Sequence, residues 1–162
     1  DVKTMAEKIE MPNKNFSYGT AGFRDNASIL DGVLFRTGIL ACLRSIKTGM
    51  NIGIVVTASH NPEHDNGVKI VDPDGGMLDR SWEAFAEALA NSKPNQIYSV
   101  IADICDKEGI NKKMFQYSND KNRIPTVLLA RDTRQSGEHL MNLAMKGVKV
   151  LGGNPLNFGL LT

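Results

Sequence analysis

The residues with the most chemistry to offer gather around Ser59, which sits in the segment TASHNP (residues 57–62), after an apolar run and next to His60. A serine hydroxyl at the end of a strand can act as a nucleophile or hold a phosphoryl group. A phosphoserine carries about −1.5 to −2 charges and needs donors or a metal around it. Lys69, ten residues further on, and Arg24, from elsewhere in the chain, are the cations on offer. A plainer reading needs no chemistry at all: Ser59 and Asn61 are the residue types that hydrogen-bond a tight turn. Spacing leaves both readings open and does not by itself bring Arg24 to the serine.

Two other motifs fail on their own terms. HNPEH (residues 60–64) matches the HxxEH zinc pattern, which needs both histidines one turn apart on a helix. Pro62 pushes Asn61 out of the helical region, so His60 and His64 are not expected to share a helix face. Asp72, Asp74 and Glu83 fall at calcium-loop spacings, but Gly76 replaces an acidic ligand and Met77 stands where that loop requires glycine. A plain turn is expected there. Neither a Walker lysine motif nor GxGxxG occurs, so nucleotide binding has no support.

The elements that would position Ser59 follow from apolar spacing. Residues 52–56 (IGIVV) predict a buried strand that runs straight into the serine loop. A second strand is predicted over residues 68–71 and is closed by the turn DPDGG (residues 72–76). A third covers residues 126–130 and is followed by Arg131, Asp132, Thr133 and Arg134. Residues 156–162 start a fourth and stop, an ending expected of a piece cut from a longer chain.

Helices are predicted over residues 32–45 with Asp31 as cap, and after Ser81 with Trp82, Phe85 and Leu89 on one face. Ile97, Val100, Ile101, Ile104 and Cys105 mark a further helix, ended by Gly109. The last follows Ser136 and carries Leu140, Leu143, Ala144 and Val148. Residues up to Lys14 read as polar and frayed, and residues 111–123 as a long polar loop. Alternating strands and helices make an α/β layer with a largely parallel sheet, whose ligands bind beyond the strands' carboxyl ends. Arg131 and Asp132, at one such end, are expected to shape the serine loop.

The composition sets the outer limits. At 162 residues the chain has room for one domain and can bury about 70% of its unfolded surface, so folding needs no disulfide or metal. Nineteen Lys and Arg against 18 Asp and Glu leave a net charge of +1, so no strong field steers nucleic acid or anionic lipid. Cys42 and Cys105 lie far apart in no metal-binding spacing and read as structural thiols of a reducing compartment. The sequons at Asn15 and Asn26 read as chance matches. With no leader-like segment and no membrane-length apolar stretch, a soluble cytosolic protein is expected.

With these residues in view, IVVTASHNPEHDNGVKI (residues 54–70) closely resembles the phosphoserine loop of the α-D-phosphohexomutase superfamily. YGTAGFR (residues 18–24) resembles that family's N-terminal active-site arginine segment, and ARDTR (residues 130–134) its third motif in the first domain. Within the superfamily, YGTAGFR and VDPDGGML (residues 71–78) look most like the phosphoacetylglucosamine mutase branch.

The resemblance implies a three-layer α/β/α domain with a mixed, mostly parallel sheet. It implies interconversion of N-acetylglucosamine 6-phosphate and 1-phosphate, on the way to UDP-N-acetylglucosamine, through a phosphoserine and a bisphosphorylated sugar. Ser59 is then phosphoryl donor and acceptor, and one phosphoryl oxygen on it binds Mg²⁺. His60 contacts sugar or phosphate, Lys69 helps proton transfer or charge balance, and Arg24 braces the phosphoryl oxygens. Glucose or mannose phosphate is the alternative substrate, and a sugar-phosphate-binding remnant or a phosphatase-like hydrolase the alternative activity. Family members have four domains, and this chain matches the first. The remaining Mg²⁺ ligands and the sugar-reading loops are therefore expected in other domains of the same polypeptide, and the chain is expected to be inactive alone.

Overall fold

The computed structural model describes residues 1–112 and 123–161, so most of the loop expected over residues 111–123 lies outside the described residues. The chain order is α1 (Val2–Glu7), β1 (Phe23–Asn26), α2 (Asp31–Thr48), β2 (Ile52–Val56), β3 (Asp65–Val71), α3 (Glu83–Ala90), α4 (Ile97–Glu108), β4 (Thr126–Arg131), α5 (Gly137–Val150) and β5 (Asn154–Leu160). The strands form one sheet in the order β1-β3-β2-β4-β5. β3 is antiparallel to both its neighbours, while β2, β4 and β5 are parallel. Four of the five strands in the described residues therefore point the same way, a mixed sheet dominated by one direction.

β2 begins and ends where its apolar run does, with Ile52, Ile54 and Val56 on the buried face. β3 starts earlier than its apolar residues suggest, because Asp65, Asn66 and Gly67 pair with Asn26, Asp25 and Arg24 of β1. β1 itself has no strand-like pattern in the sequence; it is short and polar, and the ladder with β3 makes it a strand.

Helices α2 and α5 pack on each other and on the sheet. α2 buries Val33, Leu34, Phe35, Ile39, Leu40, Cys42 and Leu43, the all-round apolar pattern of a central helix. The crossing is close because both helices present glycine. A Cβ on Gly38 would lie 2.0 Å from the Ala144 carbonyl oxygen, and one on Gly147 would lie 2.0 Å from that of Phe35. Gly38→Ala is expected to push the helices apart and cost about 1–3 kcal/mol, the range for overpacking. Denaturant unfolding would show a lower midpoint at unchanged slope, and an unchanged midpoint would mean that the crossing yields freely.

Several predicted ends move, each for a local reason. The N-terminal residues are not frayed: Asp1 caps α1 by accepting from the Thr4 amide at 2.8 Å, and Val2 and Ala6 bury their side chains in the core. Asp31 lies in the first turn of α2, whose cap position is taken by Leu30 without a side-chain bond. Asp79, not Ser81, caps the helical turn Arg80–Trp82 that leads into α3, because its carboxylate accepts from the Ser81 amide at 2.9 Å and from its hydroxyl at 2.6 Å. Ser136 occupies the cap position of α5, but its hydroxyl accepts from the Asn66 amide group at 2.8 Å instead. Gly109 ends α4 at φ 66°, as expected.

Candidate active site

The loop after β2 is built from backbone outward. The Thr57 amide donates to the Gly67 carbonyl at 3.0 Å, carrying the β2–β3 ladder one residue further. The chain then turns, with the Asn61 amide on the Ala58 carbonyl at 2.9 Å. Ser59 lies inside this turn at φ 46°, the one non-glycine residue at positive φ among the described residues. That region is sparsely occupied by side-chain-bearing residues and costs about 1–3 kcal/mol, so the surroundings must hold it. Both Ser59 and His60 are exposed.

Arg24 comes from β1, directly across from Gly67. Its Nη2 lies 3.5 Å from the Ser59 hydroxyl oxygen and its Nη1 3.4 Å from the Asn61 side-chain oxygen. Both contacts are at the long limit of hydrogen bonding, and the buried Nε has no partner among the described residues. A half-buried guanidinium with an unused N–H, aimed at a serine hydroxyl, suits an anion on that hydroxyl. Gly67 makes the approach possible. A Cβ there would lie 2.6 Å from the Phe23 carbonyl oxygen, 2.8 Å from that of Thr57 and 2.9 Å from the Arg24 side chain.

Lys69 is exposed and stands two residues beyond Gly67, so it shares the sheet face of Arg24. No hydrogen bond joins it or His60 to Ser59 in the described residues. Residues 60–64 run through turns, so His60 and His64 do not share a helix face.

From the end of β4, Asp132 and Arg134 grip the loop. Asp132 accepts from the Thr57 hydroxyl at 2.7 Å, and that hydroxyl accepts from the Ser59 amide at 3.2 Å. Arg134, buried, donates to the carbonyls of Ser59, Asn61, Pro62 and Asp65. Arg131 was expected to shape the loop, but among the described residues no hydrogen bond joins it to the loop; its bond is to the Asp132 carbonyl at 3.2 Å. Side-chain alternation turns residue 131 away, and the grip passes to Arg134 beyond the strand's end. Spacing gave no sign of this beyond two arginines and an aspartate at a strand end.

The family model described as phosphoglucomutase/phosphomannomutase, alpha/beta/alpha domain I, matches residues 21–96. A solved N-acetylglucosamine-phosphate mutase in its product complex, a member of the α-D-phosphohexomutase superfamily, aligns with TM-score 0.89 and 38% identity over 99% of this chain and 29% of its own. Residues 21–96 thus match the first domain of that family, and the whole chain is similar in sequence and fold to α-D-phosphohexomutases. Human phosphoacetylglucosamine mutase is 50% identical over 145 residues, which cover 90% of this chain and 25% of the human protein. Aspergillus fumigatus N-acetylphosphoglucosamine mutase in complex with GlcNAc-6P and magnesium aligns with TM-score 0.85 and 37% identity over 99% of this chain and 28% of its own. The chain thus spans about a quarter of the length of the relatives it matches.

Proposed function

We propose that this chain is the phosphoryl-carrying domain of a phosphohexomutase that interconverts N-acetylglucosamine 6-phosphate and 1-phosphate. The observation that carries the reading is the Arg24 guanidinium, with a buried Nε that has no partner among the described residues, over the hydroxyl of a serine held at positive φ. The likeness to human phosphoacetylglucosamine mutase supports the choice of sugar.

In the forward direction the bond between Ser59 Oγ and phosphorus breaks as the free hydroxyl of the sugar monophosphate attacks. The proton leaving that hydroxyl passes to a base, and the Ser59 oxygen is left to take one up. The bisphosphorylated sugar turns round, and Ser59 Oγ attacks its other phosphoryl group, giving its proton back. Arg24 spreads the charge on the phosphoryl oxygens in both halves, which is the main task in such a transfer. Exposed His60 and Lys69 are assigned to the sugar and its moving proton.

The described residues hold no group of three or more His, Cys, Asp or Glu able to bind a metal. The ligand this chain offers is a phosphoryl oxygen on Ser59, and in the proposed enzyme the other ligands come from the rest of the polypeptide. A bound metal would help neutralise the transferring phosphoryl group. The buried, unpaired Cys42 and Cys105 support a cytosolic location, with burial raising the Cys42 thiol to about 12.

The test is peptide mass spectrometry on the full-length protein after incubation with glucose 1,6-bisphosphate. One added phosphoryl group on the peptide holding Ser59, lost again on adding N-acetylglucosamine 6-phosphate, is the expected result. An unmodified Ser59, with sugar-phosphate binding that survives Ser59→Ala, would make the chain a binding module instead.

A further inference from the structure

We propose that Arg134 is a positioning residue for phosphoryl transfer, fixing Ser59 in the left-handed conformation that turns its hydroxyl toward Arg24. The inference rests on Ser59 carrying the phosphoryl group.

Every N–H of the Arg134 guanidinium is used. Nη2 donates to the Ser59 carbonyl at 2.9 Å and to that of Asn61 at 2.8 Å. Nη1 donates to the Pro62 carbonyl at 2.6 Å and to that of Asp65 at 3.1 Å. Nε donates to Asp132 Oδ2 at 3.3 Å. The side chain is 8% exposed. Four carbonyls from seven consecutive residues converge on one point, an arrangement whose dipoles repel unless a cation lies at the focus.

The same cluster holds the other end of Ser59. Its amide is bound by the Thr57 hydroxyl, which is itself oriented by Asp132. Asp132 also accepts from the Arg134 amide at 3.1 Å, so one carboxylate orients both grips. The N–H and the C=O of Ser59 are thus each tied to residues 132–134, and those two ties fix its φ at 46°. Within the serine loop Arg134 bonds backbone carbonyls only, and among the described residues no hydrogen bond joins it to the Ser59 hydroxyl. Lysine has three donors on a tetrahedral head and cannot match this planar fork of five.

The test uses the full-length protein with N-acetylglucosamine 6-phosphate as substrate. Arg134→Lys is expected to lower kcat about 100-fold, the scale of a misplacement near 1 Å, with KM unchanged. Amide hydrogen exchange should quicken over residues 57–65 and stay as it was in α2 and α5. Added guanidinium ion should restore part of the activity of Arg134→Ala, a recovery that a general loss of stability would not show. A wild-type kcat in Arg134→Lys, or a loss confined to KM, would overturn the proposal. Should Arg134→Lys not fold, Asp132→Asn decides: it keeps the guanidinium but loses the charge that orients it, and an unchanged kcat again overturns the proposal. Ser59→Ala separates the two levels. If that variant still turns over substrate, the phosphoserine reading fails; if it is inert while Arg134→Lys is fully active, the positioning role alone fails.

Discussion

Replacing Ser59 by alanine is expected to abolish mutase turnover in the full-length protein, by a factor on the order of 10⁶, the scale seen when a covalent nucleophile is removed. The substitution deletes one oxygen whose contact in the structure is the 3.5 Å approach of Arg24. Alanine keeps the Cβ that serine already carries at φ 46°, so the turn has no new strain to absorb. The denaturant midpoint should therefore stay near wild type, within about 0.5 kcal/mol, the usual range for a surface change. The Thr57 hydroxyl does not substitute for the lost one, because it is committed to Asp132 at 2.7 Å. Ser59→Thr is the informative companion. It keeps a hydroxyl but puts a β-branched side chain at positive φ, where such residues are outliers, so its activity should fall between wild type and alanine. Turnover followed by phosphorus NMR checks both. Clear product formation by Ser59→Ala, above a no-enzyme control, would show that the phosphoryl group travels by another route.

Which parts of this site were legible in the sequence depends on how local their causes are. β2 could be read because its alternating burial is written in five consecutive residues. The end of α4 could be read because one glycine supplies the left-handed cap. β1 could not, since Phe23–Asn26 becomes a strand only through pairing with residues about forty positions away. The same holds for the grip on the serine loop. ARDTR marked a polar strand end, and Asp132 does shape the loop. Yet Arg131 and Arg134 are alike in type and differ only in where the chain points them after β4. Arg134 meets carbonyls some seventy positions earlier in the sequence. The Ser59–Arg24 approach is intermediate: spacing left it open, the family resemblance implied it, and the β1–β3 register with Gly67 brings it about physically.

Arg24 also bears on stability, and activity and stability should move apart when it is changed. Arg24→Lys keeps a positive charge but loses the planar fork that spans Ser59 and Asn61, and kcat is expected to fall about 10³-fold, the lower end for a phosphoryl-bracing arginine. Because the guanidinium acts on charge that develops during transfer, the loss should appear in kcat more than in KM. Arg24→Met tests the other side. In the unphosphorylated chain the arginine leaves a buried Nε without a partner among the described residues, a cost of about 1–3 kcal/mol, and its contacts to Ser59 and Asn61 are long. Methionine fills similar space beside Gly67 with no donor to satisfy, so its denaturant midpoint should equal or exceed that of the wild type while turnover is lost. That opposition is what a group kept for function at the expense of stability produces. Phosphorylated Ser59 should reverse the ordering, since the added oxygens give Nε and Nη2 their acceptors and the wild type then gains more than the methionine variant. Unfolding curves of the phosphorylated and unphosphorylated forms of both proteins measure that difference directly. Equal gains in the two would mean that Arg24 does not bind the phosphoryl group and that its unpartnered nitrogen has another cause.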